Sequence, residues 1–235
     1  MLTPPYCGML RMQRHLLSPK LMTQTVWIAR HGNRIDFVNP EWFNTAQRRY
    51  DPHLSDDGLI QAKQLAKRLS SENITHIFAS PFLRTVQTAY SVAEILDIPL
   101  KLDWGLCEWL NVEWMSEQPE TLSVETLVQQ FPRIDQTHVT PVTKYPETRQ
   151  DSLQRTGEAA RRLVASYPDE DLLFVGHGLS VLGTAMGLVP SLQESQITAS
   201  LCCLVKLVRN GSDWTVELYG DTSHLSDTET TVRFN

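Results

Sequence analysis

A three-layer α/β/α sandwich, with a mainly parallel sheet and an antiparallel edge strand, is the fold the sequence predicts. Three observations predict it. Short apolar runs recur at Thr25-Val26-Trp27-Ile28-Ala29, Ile77-Phe78-Ala79 and Leu172-Leu173-Phe174-Val175, each too short for a helix and each bounded by polar or turn residues. Segments with helical spacing lie between them, and strands alternating with helices read as a parallel sheet covered on both faces. Near the C-terminus, residues 201–208 and 214–219 flank Asn210-Gly211, a hairpin signal.

In chain order, Met22-Thr23-Gln24-Thr25-Val26 opens the first strand. Ser55-Asp56-Asp57 offers a cap and two acidic residues for a helix start. Leu59, Ala62, Leu65, Ala66 and Leu69 then repeat at helical spacing, with Lys63, Lys67 and Arg68 outside. A strand near 76–79 follows. Pro81 suits the first turn of the next helix, whose buried stripe is Phe82, Val86, Ala89, Ala93 and Leu96. A fourth strand falls around residues 100–102. Residues 109–150 are irregular, with Trp109, Trp114 and one short helix near 123–131. A connection that long is usually functional or mobile, and it reads as a lid insertion. A helix near 151–167, a strand at 172–176 and a helix from about Leu179 precede the hairpin.

The chain has 235 residues, 41% of them hydrophobic and 20% charged, enough for a full core. No linker, repeat or charge block divides it, so residues 22–235 read as a single domain. Residues 1–21 carry Arg11, Arg14 and Lys20 and no acidic residue, and they follow the wrong order for a signal peptide. They read as a disordered extension or an early start codon, with a targeting segment as the alternative. The net charge of −6 argues against a nucleic-acid partner, which needs a basic face. Residues 172–190 are apolar but break into strand, turn and helix, so no membrane partner is expected. Four cysteines, Cys7, Cys107, Cys202 and Cys203, show no disulfide or zinc spacing and fit a reducing cytoplasm. Cys202 and Cys203, adjacent in a strand, would point to opposite faces. The pattern leaves the oligomeric state open.

Chemistry concentrates at the strand ends. Arg30-His31-Gly32 follows the first apolar run, Ser80-Pro81-Phe82-Leu83-Arg84 the second and Gly176-His177-Gly178 the third; Gly105-Leu106-Cys107-Glu108-Trp109 lies just past the fourth strand. Ligands of open α/β sheets bind at such ends. A histidine, neutral in good part near pH 7, can attack phosphorus, and arginines can grip phosphate oxygens with two parallel bonds. An acidic chain then needs a local cationic cluster, which Arg30, Arg34 and Arg84 could form.

This set of motifs resembles the histidine phosphatase (phosphoglycerate mutase-like) superfamily over roughly residues 26–225. Arg30-His31-Gly32-Asn33-Arg34-Ile35-Asp36 and Gly105-Leu106-Cys107-Glu108-Trp109 look most like the phosphatase domains of the suppressor of T-cell receptor signalling branch. The resemblance implies a histidine acid-type phosphatase that hydrolyses phosphate monoesters without metal or cofactor. His31 would be the nucleophile, with a phosphohistidine intermediate. Arg30, Arg34, Arg84 and His177 would hold the phosphate, and Glu108, with a raised pKa, would be the general acid. Glu113 and Asp103 are the rivals for that acid. Asp36 reads as the partner of an arginine, and His53 as a further substrate contact. His224 reads as a packing or capping residue.

The implied partner is a phosphorylated small molecule or phosphoprotein. Two other functions use the same residues: phosphoglycerate mutase-type transfer, and an inactive phospho-ligand-binding module. Residues 109–135 carry Glu113, Glu117, Glu120 and Glu125 against Arg133 alone, which disfavours retention of a bisphosphate.

Overall fold

The computed structural model describes residues 23–138 and 140–226, so the expected extension at 1–21 lies outside the described residues. The elements are β1 (Thr23–Arg30), α1 (Ile35–Val38), α2 (Asp56–Leu69), β2 (Ile74–Ala79), α3 (Leu83–Leu96) and β3 (Leu100–Leu102). Then come α4 (Val124–Gln130), α5 (Arg149–Ser166), β4 (Asp171–Gly176), α6 (Gly178–Leu188), β5 (Leu204–Asn210) and β6 (Asp213–Asp221). The six strands form one sheet in the order β3-β2-β4-β1-β5-β6. β3, β2, β4 and β1 run parallel, and β5 and β6 add the antiparallel side. This is the α/β sandwich expected.

Period-two alternation builds two cores from the same strands. Val26, Ile28, Leu172 and Phe174 face α5 and α6, while Trp27, Ala29, Leu173 and Val175 face α2 and α3. All eight are essentially inaccessible to solvent, which is why charge in these two strands is confined to their ends, at Arg30 and Asp171. α5 and α6 pack closely: a Cβ added to Gly187 would fall 2.3 Å from the Gly157 Cα.

β4 inserts between β1 and β2, so the chain reverses its direction of sheet growth there. The crevice outside the carboxyl ends of β1 and β4 is a topological switch point. Register pairs Arg30 with Gly176, which sets His31 and His177 side by side.

Several details differ from expectation. Phe82, not Pro81, caps α3, because the Phe82 carbonyl takes the first helical bonds, from Thr85 and Val86; Pro81 lies outside the helix. Leu59 is exposed, because Gly58 and Gln61 take the buried side of the first turns of α2. β5 begins at Leu204, so Cys202 and Cys203 precede the strand; Cys202 turns the chain at φ 50°, and both thiols are buried. The irregular stretch 109–150 divides. Leu110 and Met115 pack with Phe82 and Cys107 beside the crevice, whereas Leu127 and Ile134 join the α2/α3 core beside β3.

Candidate active site

Four strand ends converge on one buried polar cluster. Arg30, His31, Arg84, Glu108 and His177 are all buried, with His31 and His177 at 0% exposure. The two imidazoles meet edge to face at 5.3 Å between centroids.

His31 sits where β1 ends, its amide donating to the Gly176 carbonyl at 3.0 Å. Its Nδ1–H donates to the Gly32 carbonyl at 2.7 Å. That bond fixes the tautomer and leaves the Nε2 lone pair unshared; Nε2 has no protein hydrogen-bond partner. Burial, and then the cations Arg84 and Arg30, push the His31 pKa well below its ordinary value. At neutral pH it is a neutral imidazole with one bare, buried nitrogen.

Arg84 projects from the first turn of α3. Its Nη2 lies 3.3 Å from the Glu108 Oε2 and 3.2 Å from the His177 Nδ1. Its plane stacks over Phe82, and burial lowers its pKa to about 10, still cationic at neutral pH. Arg30 donates to the Ala199 carbonyl at 2.8 Å, anchoring it between β1 and the approach to β5.

His177 caps α6. Its Nδ1 also lies 3.2 Å from the Glu108 Oε2, and its Nε2 is 2.8 Å from the Ser80 Oγ. The Ser80 hydroxyl accepts from the Phe82 amide, so its own proton is available to the imidazole. We therefore assign the His177 proton to Nδ1, the nitrogen that faces Glu108 and Arg84. Burial first, then Arg84 and Arg30, lower its pKa to about 4 against the pull of Glu108.

Glu108 follows a 3₁₀ turn at Trp104–Leu106, and its Oε1 accepts from the Trp109 amide at 3.1 Å. The raised carboxyl pKa expected for it is not found. Burial pushes it up, but His177, Arg84 and His31 outweigh that and hold it well below the ordinary range.

Arg34 lies at the edge of this cluster. Asp36 grips it in a bidentate ion pair, through Nε at 2.9 Å and through Nη2, and its plane stacks 4.2 Å over the Phe37 ring. His53 lies on the neighbouring loop, bridged to it through Arg34 and Leu54; its Nδ1 reaches the Leu54 carbonyl at 2.7 Å and its ring meets Trp42. The rival acids are placed elsewhere. Asp103 is occupied by His138, Arg162 and the Gly105 amide, and Glu113 is exposed. The His224 ring bonds the Cys202 carbonyl, a packing role.

Two residues of the cluster carry no sequence signal of their own. Ser80 holds the His177 ring. Asp51, buried, accepts from the Leu83 amide at 2.7 Å, and burial raises its carboxyl to about 6 despite the nearby Arg84. Each is an ordinary polar residue in a loop until the fold brings it beside His177 or Arg84.

His31, Glu108 and His177 offer ligand atoms within 4.8 Å of one another, a spacing a metal ion could use. Two buried guanidiniums border the same space, however, and their charge favours an anion over a cation there. A bare imidazole nitrogen, two buried arginines, a second imidazole and a carboxylate define a phosphoryl-transfer centre.

The chain belongs to the histidine phosphatase superfamily (branch 1), which it matches over residues 26–222. It is 30% identical over 222 residues to a probable phosphoglycerate mutase, GpmB, of Proteus mirabilis, covering 86% of this chain and 95% of that one. It is also 31% identical to the transcription factor tau 55 kDa subunit of Saccharomyces cerevisiae, over 72% of this chain but only 42% of the relative. Among solved structures it resembles the ecdysone phosphate phosphatase of Bombix mori in complex with tungstate. That match has a TM-score of 0.68 at 20% identity and covers 90% and 98% of the two chains. These relatives support the superfamily and not the T-cell receptor signalling branch specifically.

Proposed function

We propose that this protein is a metal-independent phosphomonoesterase working through a phosphohistidine on His31. The observation that carries the reading is the His31 Nε2: buried, unprotonated, without a protein partner, and flanked by Arg30, Arg84 and His177.

In this reading Arg30 and Arg84 hold the phosphoryl oxygens, with Arg34 adding charge from the edge of the pocket and His177 Nδ1–H donating to an equatorial oxygen. His31 Nε2 attacks phosphorus in line as the bond to the leaving oxygen breaks. Glu108 gives that oxygen its proton. Water then attacks the phosphohistidine, loses its proton to Glu108, and releases phosphate with His31 restored. A bound phosphate dianion reverses the local balance at Glu108, since two negative charges beside a carboxylate raise its pKa. The carboxyl that is ionised in the free site is thereby made an acid by its own substrate.

The mutase reading has the bacterial relatives in its favour. Against it, the stretch that follows Glu108 is acidic, with Glu113, Glu117 and Glu120 exposed, which disfavours retention of a captured phosphoryl donor. Water is the favoured acceptor. The motif Arg30 to Asp36 keeps the T-cell branch as the finer resemblance, with Asp36 gripping Arg34. Residues 109–116 read as a cover over the crevice, and His53 as a contact for the substrate's outer part. Among the described residues, three buried thiols outside any disulfide suit a reducing cytoplasm.

The test is turnover of an aryl phosphate in EDTA with acid-quenched phosphate labelling. Wild type should hydrolyse the ester and trap acid-labile label; His31→Ala should do neither. Label that persists in His31→Ala would move the nucleophile elsewhere, and a strict metal requirement would remove the arginine-based reading.

A further inference from the structure

A cavity of about 670 Å³ opens directly from Arg30 and Glu108. Beyond those two residues its apolar walls are Trp109, Trp114, Leu179, Leu182 and Ile197, and Arg149, Gly178, Glu194 and Ser195 complete the lining. Leu179, Leu182 and Ile197 are at most 9% exposed, so this wall is part of the α6 core and rigid. Trp109 is fixed by its indole N–H, which donates to the Glu147 carbonyl at 3.0 Å, and its ring meets Trp114 at 4.9 Å. Trp114 keeps 39% of its surface exposed and lines the same cavity.

The charges at the rim cancel. Arg149 is taken by Glu194 through two bonds of 2.9 and 2.6 Å. The remaining cation of the lining, Arg30, belongs to the phosphate end. A leaving group bearing a carboxylate would therefore meet Glu108 and Glu194 without an unengaged arginine to answer it. A larger cavity of about 870 Å³ lies behind Gly105, but its Arg155 and Arg162 are paired with Glu147 and Asp103, and it holds none of the site residues.

Resting on the phosphatase reading, we propose that the substrate is the phosphate monoester of a bulky, uncharged, largely apolar alcohol or phenol, its leaving group stacked on Trp109 and Trp114 against Leu182 and Ile197. Aromatic walls with one polar end are the usual form of such a pocket. The site is accordingly poorly suited to small acidic phosphates.

The experiment compares phenyl, 4-butylphenyl and 4-(carboxymethyl)phenyl phosphate, whose leaving groups have similar acidity, so that differences read the pocket and not the chemistry. The butyl ester should exceed the phenyl ester by about tenfold or more in kcat/KM, and the carboxymethyl ester should fall below it. Trp114→Ala and Ile197→Asn should each shrink the butyl-to-phenyl ratio to about threefold or less. In parallel, 4-butylbenzylphosphonate, which cannot be hydrolysed, should bind more tightly than benzylphosphonate by calorimetry. Equal turnover of the three esters, or a ratio unmoved in both variants, would overturn the apolar leaving group while leaving the phosphatase intact. Selective phosphonate binding without turnover of any ester would overturn the phosphatase and keep the pocket.

Discussion

The Arg84 Nη2 and the Glu108 Oε2 lie 3.3 Å apart with both side chains buried, so the candidate acid is clamped to a cation in the free site. Glu108 is thus ionised, and a productive complex must receive its proton from elsewhere. The substrate can bring it, because a phosphate monoester monoanion has its second pKa at about 6. The pH profile of kcat/KM should therefore peak on the acid side. It should fall above about 6, where the ester loses its proton, and fall again as His31 protonates, well below its ordinary value. Esters with a lower second pKa should shift the basic limb downward. A basic limb fixed across such a series would assign it to an enzyme group instead. Glu108→Gln should slow alkyl esters far more than nitrophenyl phosphate, since only a poor leaving group needs the proton.

Arg84 donates to the Glu108 carboxylate beside the His177 ring, and Arg30 is anchored to the Ala199 carbonyl. Lysine keeps the charge at either position and loses the planar, bidentate geometry. Arg84→Lys and Arg30→Lys should each lower kcat/KM by about a hundredfold, the scale of one lost transition-state donor. Steady-state kinetics checks this; activity of Arg84→Lys within threefold of wild type would mean that charge alone suffices.

Ser80→Ala removes the hydroxyl that holds the His177 Nε2. The imidazole would then share its proton between nitrogens, and the fraction donating toward the phosphate would drop. A loss of about tenfold in kcat is expected, equal to about 1.4 kcal/mol, with Ser80→Thr restoring most of it. Nitrogen NMR of His177 should show the Nδ1–H form in wild type and a mixture in Ser80→Ala. An unchanged tautomer with unchanged rate would reduce Ser80 to a helix-start residue.

What was legible in the sequence were the strands, because two-sided burial demands uncharged β-branched and aromatic runs, and the residues that terminate them. Arg30, His31 and His177 lie at such termini, and Arg84 and Glu108 follow theirs within a few residues, so a one-dimensional pattern located a three-dimensional cluster. Ser80 and Asp51 were illegible as partners, because their roles come from side chains far away in sequence. The sign of the Glu108 shift was illegible for the same reason: burial and charge oppose each other there, and only distances decide. Residues 109–150 lack a period, so nothing local told the tryptophans at the crevice from Leu127 and Ile134 in the α2/α3 core.

Acid should unfold the protein earlier than its carboxylates alone would dictate. His31 and His177 have folded pKa values below their ordinary ones, so the unfolded chain binds protons first as pH falls below about 6.5. Stability is then full above that value and is lost toward pH 4, the folded value of His177. Asp51, raised to about 6, works in the opposite direction over part of the same window. One depressed histidine outweighs it only modestly, but two acting together should dominate. Urea unfolding of His177→Gln at pH 7 and pH 4.5 should show a smaller acid loss than wild type, by about 1–3 kcal/mol. An identical loss would mean that His177 is solvated in the folded protein.

The loop that carries His31 depends on a glycine in another element. A Cβ on Gly58 would stand 2.1 Å from the Asn33 carbonyl oxygen and 2.9 Å from its carbon, both backbone atoms that no rotamer can move aside. The same carbonyl accepts from the Ser55 amide, while the Asn33 amide donates to Gln61 and its side chain to Asp57. The start of α2 and the turn after His31 are therefore one clamped unit, and a Cβ added to Gly32 would in turn fall 2.7 Å from the Gly58 carbonyl oxygen. Gly58→Ala must push that unit apart. A cost of about 2–4 kcal/mol is expected, the range of forced overpacking with lost buried bonds, or roughly 5–15 °C in Tm at this chain length. Activity should fall further than stability explains, because the displaced turn carries the Gly32 carbonyl that orients His31. Gly211→Ala is the control: at φ 67° with open space around it, it strains only its own hairpin and should leave kcat unchanged. Thermal melts and kinetics of the two variants decide the matter. If Gly58→Ala loses no more Tm than Gly211→Ala, the turn after His31 has room to yield and its register is set elsewhere.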